Sequence, residues 1–334
     1  MEQVRMHETT GLVAPVSAPE AEGAAAALRQ RAAAWQVPLT EAGGTLSLML
    51  WGCRLHLRRD AGALRLEISG RERRLVDTLR DSATALMAEA GLSIAWNQVE
   101  AGGLAPGLSL ARVVSVTRRS PGFLRLRLEG DDLGRFAEAA SIHFRLLIPP
   151  AGRPPAWPRV EASGRTVWPE GGAAPHRALY TVAAHGRTGR LPWIELDIFR
   201  HAHSPTCRWA EARPVGRTVG LLGPGGRGCP DAARIWFFGN EPALPAIARM
   251  LAVAPGEAQA MLRTAPADFL IDDPRARRCN DLVAALRGHP ELRAPIEGGH
   301  VWFAGRVEAA RAARAHLLAR GWHRQDISCA AYWG

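Results

Sequence analysis

The pattern of apolar residues changes near residue 230, and this change constrains the fold of the 334-residue chain more than any other feature. Before it, short alternating segments are separated by turn residues, as in 123–128 with its Leu/Arg alternation. After it, apolar strands alternate with helical segments. Several short strands predict a small antiparallel barrel, whereas alternating strands and helices predict a parallel sheet with crossover helices. The chain is therefore expected to contain domains of different architecture.

The predicted barrel covers residues 108–230, and the predicted parallel-sheet domain covers 231–334. Barrel strands are expected where hydrophobicity alternates, at 111–117, 123–128, 141–148, 178–184, 193–200 and 218–222, with a Pro/Gly-rich loop at 149–175. In the second domain, strands are expected at 234–238, 267–271 and 300–304, and helices at 242–250 and 307–320.

A small α+β domain is predicted at residues 21–104, ahead of a glycine-rich linker at 102–107. Its helices are expected at 22–35 and 72–90, and its strands at 45–50, 53–58, 63–68 and 92–96. Residues 1–20 are rich in Ala, Pro and Glu without periodicity, which predicts a disordered lead-in.

The formal net charge of +10 comes from arginine spread along the whole chain, with no lysine at all. A nucleic-acid interface normally gathers its cations on one face, so we expect no nucleic-acid partner and favour an anionic small molecule. No stretch approaches the roughly 18 uninterrupted apolar residues of a membrane span, which predicts no integral membrane association. The first 15 residues lack a basic region followed by an apolar core, so a cytoplasmic location is expected.

Cysteine spacing predicts neither a disulfide framework nor a zinc site, because the five cysteines are far apart and form no Cys-x-x-Cys pair. His201, His203 and Cys207 cluster within seven residues. No second pair with ligand spacing accompanies them, so we predict no metal site there.

Two glycine-containing turns compete as the nucleotide site. Residues 223–228 (Gly-Pro-Gly-Gly-Arg-Gly) satisfy the dinucleotide pattern G-x-G-x-x-G, but they lead into another strand instead of a helix, which predicts a plain interdomain turn. Residues 239–242 (Gly-Asn-Glu-Pro) join a strand to a helix, and Gly239 could let the backbone approach a ligand. Ala304 and Gly305 form a second such point. Both could equally be ordinary strand-to-helix turns.

Several motifs in the last two thirds of the chain resemble those of siderophore-interacting proteins, in the same order and with similar spacing. Residues 239–247 (Gly-Asn-Glu-Pro-Ala-Leu-Pro-Ala-Ile) resemble the Gly-Asp-Glu-Thr-Ala-Leu-Pro-Ala-Ile signature of that family. The other matching segments are 301–305 (Val-Trp-Phe-Ala-Gly), 332–333 (Tyr-Trp), 223–224 (Gly-Pro) and the loop at 201–210. The N-terminal domain more weakly resembles a small uncharacterised domain that also occurs fused to siderophore-interacting proteins.

This resemblance implies a ferredoxin-reductase-like flavoprotein that uses NAD(P)H and FAD to reduce ferric siderophores and release Fe(II) for iron assimilation. Tyr180, Thr181 and Val182 match the family's Tyr-Thr-Val strand, in which the tyrosine packs on the isoalloxazine and the threonine approaches its reactive edge. Tyr180 could instead be a core residue with a satisfied hydroxyl. The resemblance also implies that the pyrophosphate and nucleotide contacts come from His201, Pro205, Thr206, Cys207, Trp209, Gly239, Asn240, Glu241, Ala304, Gly305 and Trp333.

Several positions depart from the family pattern. Ala178 occupies the place of an FAD-contacting arginine, and Arg177 lies one residue earlier, where strand alternation aims it at the opposite face. A bulge in the strand would still let Arg177 reach the phosphates of FAD, so it is kept as a cofactor-binding residue. Arg145 and Arg306 are expected to attract an anionic ferric complex, although Arg306 stands where the family has Glu. The remaining departures are Ala183 for Arg, Cys207 for Ser, Asn240 for Asp and Pro242 for Thr. They leave open an alternative, a divergent non-catalytic relative that binds a siderophore, flavin or partner protein.

Overall fold

The chain folds into two compact units, and a computed structural model describes residues 6–35, 37–60, 62–138, 141–202 and 204–333. Unit 1 comprises Met1–Leu108 and Pro149–Pro175, and unit 2 comprises Ser109–Ile148 and His176–Gly334. The segment 149–175, expected as a barrel loop, thus belongs to the N-terminal unit. The barrel and the parallel-sheet domain, predicted separately, share unit 2.

Unit 1 is an α+β fold, as predicted, built on a six-stranded sheet in the order β2-β3-β4-β5-β1-β6. The helical periodicity indicated Leu75, Leu79, Ala83 and Leu86 as the apolar face of α2; the last three are buried, Leu75 is half-buried, and Val76 is buried as well. The elements are β1 (His7–Val13), α1 (Ala18–Ala34), β2 (Leu39–Ala42), β3 (Thr45–Leu50), β4 (Cys53–Asp60), β5 (Ala63–Gly70), α2 (Arg73–Glu89) and β6 (Ala95–Trp96).

The disordered lead-in predicted for residues 1–20 is wrong for residues 6–20, and residues 1–5 lie outside the described part. Strand β1 pairs with β5 from His7 opposite Gly70 onward. Helix α1 begins four residues earlier than predicted because Ser17 and Glu20 form a reciprocal capping box at its start. Both signals were in the sequence, a Ser-x-x-Glu motif and a short alternation, but Ala and Pro content concealed them.

The barrel is a seven-stranded antiparallel sheet in the order β12-β9-β15-β7-β8-β14-β13. Leu124, Leu126 and Leu128 are buried in its core while Arg125 and Arg127 lie on the outer face, as the alternation predicts. Helix α3 follows β14, and β10 and β11 form a hairpin within unit 1. The strands are β7 (Leu108–Ser120), β8 (Phe123–Glu129), β9 (His143–Ile148), β10 (Arg159–Val160), β11 (Thr166–Val167), β12 (His176–Thr181), β13 (Ala184–Thr188), β14 (Leu191–Phe199) and β15 (Thr218–Gly225), and α3 is Pro205–Glu211.

The C-terminal part of unit 2 is a five-stranded parallel sheet in the order β18-β17-β16-β19-β20. The prediction of a strand at 267–271 is wrong. Pro266–Asp268 is a 3₁₀-helix, and the strand lies earlier, at β17, whose small inward residues Ala258 and Ala260 made a weak hydrophobic signal. The elements are β16 (Arg234–Asn240), α4 (Leu244–Leu251), β17 (Glu257–Arg263), β18 (Ala276–Arg278), α5 (Leu282–Gly288), β19 (Gly299–Arg306), α6 (Val307–Ala319) and β20 (Ile327–Trp333).

Asp268 ties the parallel-sheet domain to the barrel within unit 2. This residue is 6% exposed, and its carboxylate accepts hydrogen bonds from Ser120 Oγ at 2.6 Å and from the Gly122 amide at 2.7 Å. A Cβ on Gly122 would lie 2.5 Å from Asp268 Oδ2, so the hairpin turn fits closely around this carboxylate.

Replacing Asp268 by alanine is expected to lower the free energy of unfolding by about 2 kcal/mol, because two partly buried donors lose their acceptor. Urea denaturation followed by circular dichroism would measure the change. Asp272→Ala, at an exposed aspartate four residues later, is the matched control and should change stability by less than about 0.5 kcal/mol. Equal stability of the two variants would contradict the interdomain role of Asp268.

Candidate functional site

Strand β12 divides the predicted flavin-contacting residues between its two faces. Tyr180 lies opposite Phe144 on the barrel-core face, and Thr181 lies opposite His143 on the outer face. Arg177 is exposed on the same outer face, away from Tyr180, as strand alternation predicts. Val182, just after the strand, is buried in the barrel core.

The outer face of β9 and β12 brings together two arginines to which the sequence assigned different roles. Arg145 lies directly across from Leu179, and Arg177 lies across from Leu147, two residues along the same face. Both arginines are exposed, and Leu179 between them is 61% exposed. An apolar side chain flanked by two cations suits a ligand with a flat apolar body and anionic groups. Arg306 lies elsewhere, exposed at the end of β19.

Tyr180 packs against the barrel core and is held by the first turn of α3. Its hydroxyl is hydrogen-bonded to Thr206, whose Oγ1 also lies 3.0 Å from His176 Nε2. Burial raises the pKa of Tyr180 above its ordinary value, so the phenol stays protonated. The geometry is that of a core-edge tyrosine with a satisfied hydroxyl and a partly exposed ring.

The loop before α3 uses part of its hydrogen-bonding capacity internally. Ser204 caps the helix by accepting the Cys207 amide at 3.2 Å, and Pro205 has no amide hydrogen. The Cys207 thiol is buried and donates to the Phe199 carbonyl at 3.1 Å. Pro205, Thr206 and Cys207 are the three residues of this turn that were predicted to contact the pyrophosphate. Because Pro205 has no amide hydrogen and the Cys207 amide is bonded to Ser204, Thr206 is the one whose backbone amide is left for a ligand among these three described residues.

The other predicted residues of this loop are spread over different environments. His201 is exposed and its ring stacks on Phe199, with centroids 6.2 Å apart, while Trp209 packs partly against the barrel core. His203 lies outside the described residues. Within the part of the chain that is described, no group of three or more His, Cys, Asp or Glu side chains is placed to hold a metal ion.

Asn240 marks the carboxyl end of β16, the central strand of the parallel sheet. It is 2% exposed, and its Oδ1 has no hydrogen-bond partner among the described residues. A buried acceptor left unpaired costs on the order of 1–3 kcal/mol, so this oxygen favours a ligand that donates a hydrogen bond. Its position agrees with such a role, because open α/β sheets bind ligands at the carboxyl ends of their strands. Glu241, next in the chain, is half-buried and begins a short 3₁₀-helix that leads into α4.

Gly239 packs closely against the start of α4, and the approach of a ligand to its backbone stays a prediction. A Cβ at this position would lie 2.4 Å from Ile247 Cδ1 and 2.9 Å from Ala243 Cβ, because the start of α4 packs directly on the strand. The second predicted point, Ala304 and Gly305, is buried near the end of β19. There the β20 backbone pairs with β19, with Arg306 in register with Trp333.

The glycine run at 223–228 forms no dinucleotide fingerprint. Strand β15 continues through Gly225, and the chain then turns into β16 without an intervening helix. This confirms that the run opens no helix, but the predicted turn begins only at Gly226, because residues 223–225 still belong to β15. Gly226 is needed there, since its φ is +77° and a Cβ would lie 2.9 Å from the His143 ring.

His143, which sequence reasoning missed, lies where the barrel and the parallel-sheet domain meet within unit 2. Its Nδ1 is 2.9 Å from Thr181 Oγ1, and its Nε2 is 3.3 Å from the Tyr332 hydroxyl at the end of β20. Burial, and secondarily the charge of Arg249, lowers the pKa of His143 to about 4. Only the pairing register of β9 with β12 could have identified it, and composition or spacing does not reveal that register.

Arg249 reaches the same region from α4. Its Nη2 donates to the Phe136 carbonyl at 3.0 Å and also to the Glu138 carbonyl, while its Nη1 is buried without a partner among the described residues. Burial lowers the pKa of this guanidinium. A cation held by carbonyl oxygens next to His143 disfavours a second positive charge there.

Two family profiles match adjoining parts of unit 2. Residues 112–228 match the siderophore-interacting FAD-binding domain, and residues 232–334 match the siderophore-interacting protein family. Together they account for most of the chain after the N-terminal unit. Both matches agree with the predicted resemblance, while the N-terminal domain lies outside either matched range.

Curated relatives match shorter stretches. The ferric vibriobactin reductase ViuB of Vibrio cholerae is 30% identical over 146 residues, 42% of this chain and 52% of that protein. The uncharacterized protein Rv2895c of Mycobacterium tuberculosis is 40% identical over 68 residues, 20% of this chain and 24% of that protein. The chain thus spans between about a quarter and about half the length of these relatives.

Solved structures share the two-domain fold. A siderophore utilization protein from T. fusca has a TM-score of 0.54 and 26% identity, covering 71% of this chain and 95% of that one. The siderophore-interacting protein SipS from Aeromonas hydrophila has a TM-score of 0.53 and 21% identity, covering 68% and 97%. The antiparallel barrel and parallel-sheet architecture predicted from the sequence is confirmed. Among the described helices, none is both long and apolar enough to cross a bilayer.

Proposed function

Because this chain belongs to the siderophore-interacting protein family, we propose that it is an FAD-dependent reductase that uses NAD(P)H to reduce a ferric siderophore and release Fe(II) for iron assimilation. One observation carries the proposal. Thr181, on the predicted flavin strand, and Tyr332, on the last strand of the parallel sheet, meet at His143 within one compact unit. A hydride transfer between two cofactors requires their binding domains to approach in this way.

The residues on the barrel fit a flavin nucleotide by the chemistry of their donors. Arg177 and the exposed Leu179 lie on the same face of β12, which offers a cation and an apolar surface. Thr206 retains an amide at the start of α3, and Tyr180 and Thr181 lie on the neighbouring strand. When bound, FAD supplies hydride acceptance and one-electron transfer, chemistry that side chains lack. The protein's part is to hold and orient the ring and its phosphates.

The carboxyl edge of the parallel sheet fits a nicotinamide nucleotide. The Oδ1 of Asn240, which has no partner in the part of the chain that the structure describes, needs an N–H or O–H donor, and a ribose or carboxamide group can provide one. Glu241, Ala304, Gly305 and the Trp333 position complete the proposed contacts at this edge.

The proposed substrate is an anionic ferric siderophore, attracted by Arg145 and Arg306. Hard anionic oxygen ligands hold Fe(III) more firmly than Fe(II), so reduction releases the metal. The proposal also places the protein in the cytoplasm and includes no nucleic-acid partner.

Titration of the purified chain with FAD tests the proposal. We expect saturable uptake, bleaching of the visible flavin absorbance by NADPH or NADH without oxygen, and Fe(II) release from an added ferric siderophore. Arg177→Ala should weaken FAD binding about tenfold, because it removes a charge-assisted contact. Arg54→Ala, at an exposed arginine of unit 1, is the control and should bind FAD as the unaltered chain does.

A chain that takes up no FAD contradicts the proposed function. A chain that binds FAD but is not reduced by either nucleotide is instead the non-catalytic flavin-binding relative, which the altered positions Ala178, Ala183 and Pro242 favour.

A further inference from the structure

His143 is hydrogen-bonded on both sides of its ring, which links the directions of its two contacts. A neutral imidazole has one donor nitrogen and one acceptor nitrogen. Whichever nitrogen accepts from its neighbour, the other must donate. The Tyr332 ring also packs edge-on against the imidazole, with centroids 6.0 Å apart, so the two side chains constrain each other.

The chemistry of Tyr332 decides the direction. A phenol hydroxyl is a better donor and a poorer acceptor than the alcohol of threonine, so of the two hydroxyls beside the ring that of Tyr332 is the one that donates. Burial also raises the pKa of Tyr332 above its ordinary value, so the phenol keeps its proton. His143 Nε2, 3.3 Å away, can accept because the imidazole is neutral near neutral pH. The ring proton then lies on Nδ1, which donates to Thr181 Oγ1 at 2.9 Å. The hydrogen of the Thr181 hydroxyl takes no part in this contact.

We propose that His143 is a positioning residue that orients the Thr181 hydroxyl, turning its hydrogen away from the imidazole and toward an acceptor atom on the bound flavin. The inference rests on the proposed function, in which Thr181 lies at the reactive edge of the flavin. It assigns the Nδ1–H tautomer to His143. It also makes Tyr332 the residue that selects this tautomer, so that the parallel-sheet domain influences the flavin-binding strand through one imidazole.

The tautomer can be measured on the chain without any flavin. In ¹⁵N-histidine-labelled protein near neutral pH, we expect the His143 signals of a protonated Nδ1 and an unprotonated Nε2, assigned by their loss in His143→Gln. Tyr332→Phe should shift them toward a mixture of tautomers, because Nε2 loses its donor. Protonation of Nε2 in the unaltered chain would overturn the inference.

Measurements of flavin affinity test the second part of the inference, the orientation of the Thr181 hydroxyl by His143. Thr181→Val and His143→Ala should each weaken FAD binding about tenfold, the effect of losing one oriented hydrogen bond. The double variant should bind no more weakly than either single one, because both remove the same contact. His143→Gln should retain most of the affinity, since its carboxamide offers both a donor and an acceptor.

His300 provides the matched control. It is another partly buried histidine, 2.9 Å from the Ser328 hydroxyl, but it lies at the amino end of β19, far along the strand from Ala304. His300→Ala should leave FAD binding unchanged. The inference would be overturned if the losses of affinity in Thr181→Val and His143→Ala multiplied in the double variant, or if His143→Ala bound FAD as tightly as the unaltered chain. Either result would leave the proposed function standing. An unaltered chain that takes up no FAD would overturn the proposed function as well.

Discussion

Replacing Asp197 by alanine is expected to lower the free energy of unfolding of unit 2 by about 3–5 kcal/mol, the range seen when one partner of a buried ion pair is removed. The Asp197 side chain is 4% exposed on the outer face of β14. Arg125 donates to it through Nε at 2.7 Å and Nη2 at 2.9 Å, and Arg119 forms a further ion pair with it.

The size of this effect follows from what would be left behind. Both guanidinium groups are partly buried, so without the Asp197 carboxylate two cations would lie close together with Glu195, 3.2 Å from Arg125, as the remaining carboxylate of that arginine. Burial raises the pKa of the Asp197 carboxyl, and the hydrogen bonds from Arg125 oppose that rise. Taking these charged groups out of water costs free energy, so the cluster of Asp197, Arg125 and Arg119 is stable only when all three members are present.

Denaturant unfolding followed by circular dichroism would measure the loss. Asp197→Asn, which keeps one acceptor oxygen, should lose less than the alanine variant. The control is Asp131→Ala, at an exposed aspartate in the turn after β8, with an expected change below about 0.5 kcal/mol. A change of that small size in Asp197→Ala would show that the arginines find other partners.

Acidification from pH 6.5 to pH 4 is expected to remove roughly 3 kcal/mol of stability through His143 alone. The pKa of His143 in the folded chain is lowered to about 4 from an ordinary value of 6.5. Between these values the unfolded chain binds a proton at this position that the folded chain does not. Stability is therefore fully present above pH 6.5 and is lost as the pH falls toward 4.

Unfolding free energies of the unaltered chain and of His143→Gln, measured across this pH range, isolate the effect. Other histidines, including His176 and His300, also have lowered pKa values and contribute to both curves. From pH 6.5 to pH 4 the unfolding free energy of the unaltered chain should fall by roughly 3 kcal/mol more than that of His143→Gln. Parallel curves would mean that His143 becomes protonated without penalty, and the neutral bridge between Thr181 and Tyr332 would then lose its support.

Local patterns in the sequence were sufficient where one periodicity dominated. The Leu/Arg alternation of 123–128 predicted which side chains face the barrel core, and the failure of 223–228 to open a helix correctly excluded a dinucleotide fingerprint there. Predictions failed where the signal was weak, as in the alanine-rich β17, or was masked by composition, as in the capping box of Ser17 and Glu20. These errors changed boundaries and one strand but not the architecture.

The sequence by itself determined the domain types, the order of most strands and helices, and the family, because these depend on hydrophobic periodicity and on motifs that are continuous along the chain. Only the tertiary structure decided how the site is assembled. It placed Arg145 beside Leu179, packed Gly239 against the start of α4, and joined Thr181 to Tyr332 through His143. Those contacts depend on strand register and on the packing of residues up to 189 positions apart, which no local pattern encodes.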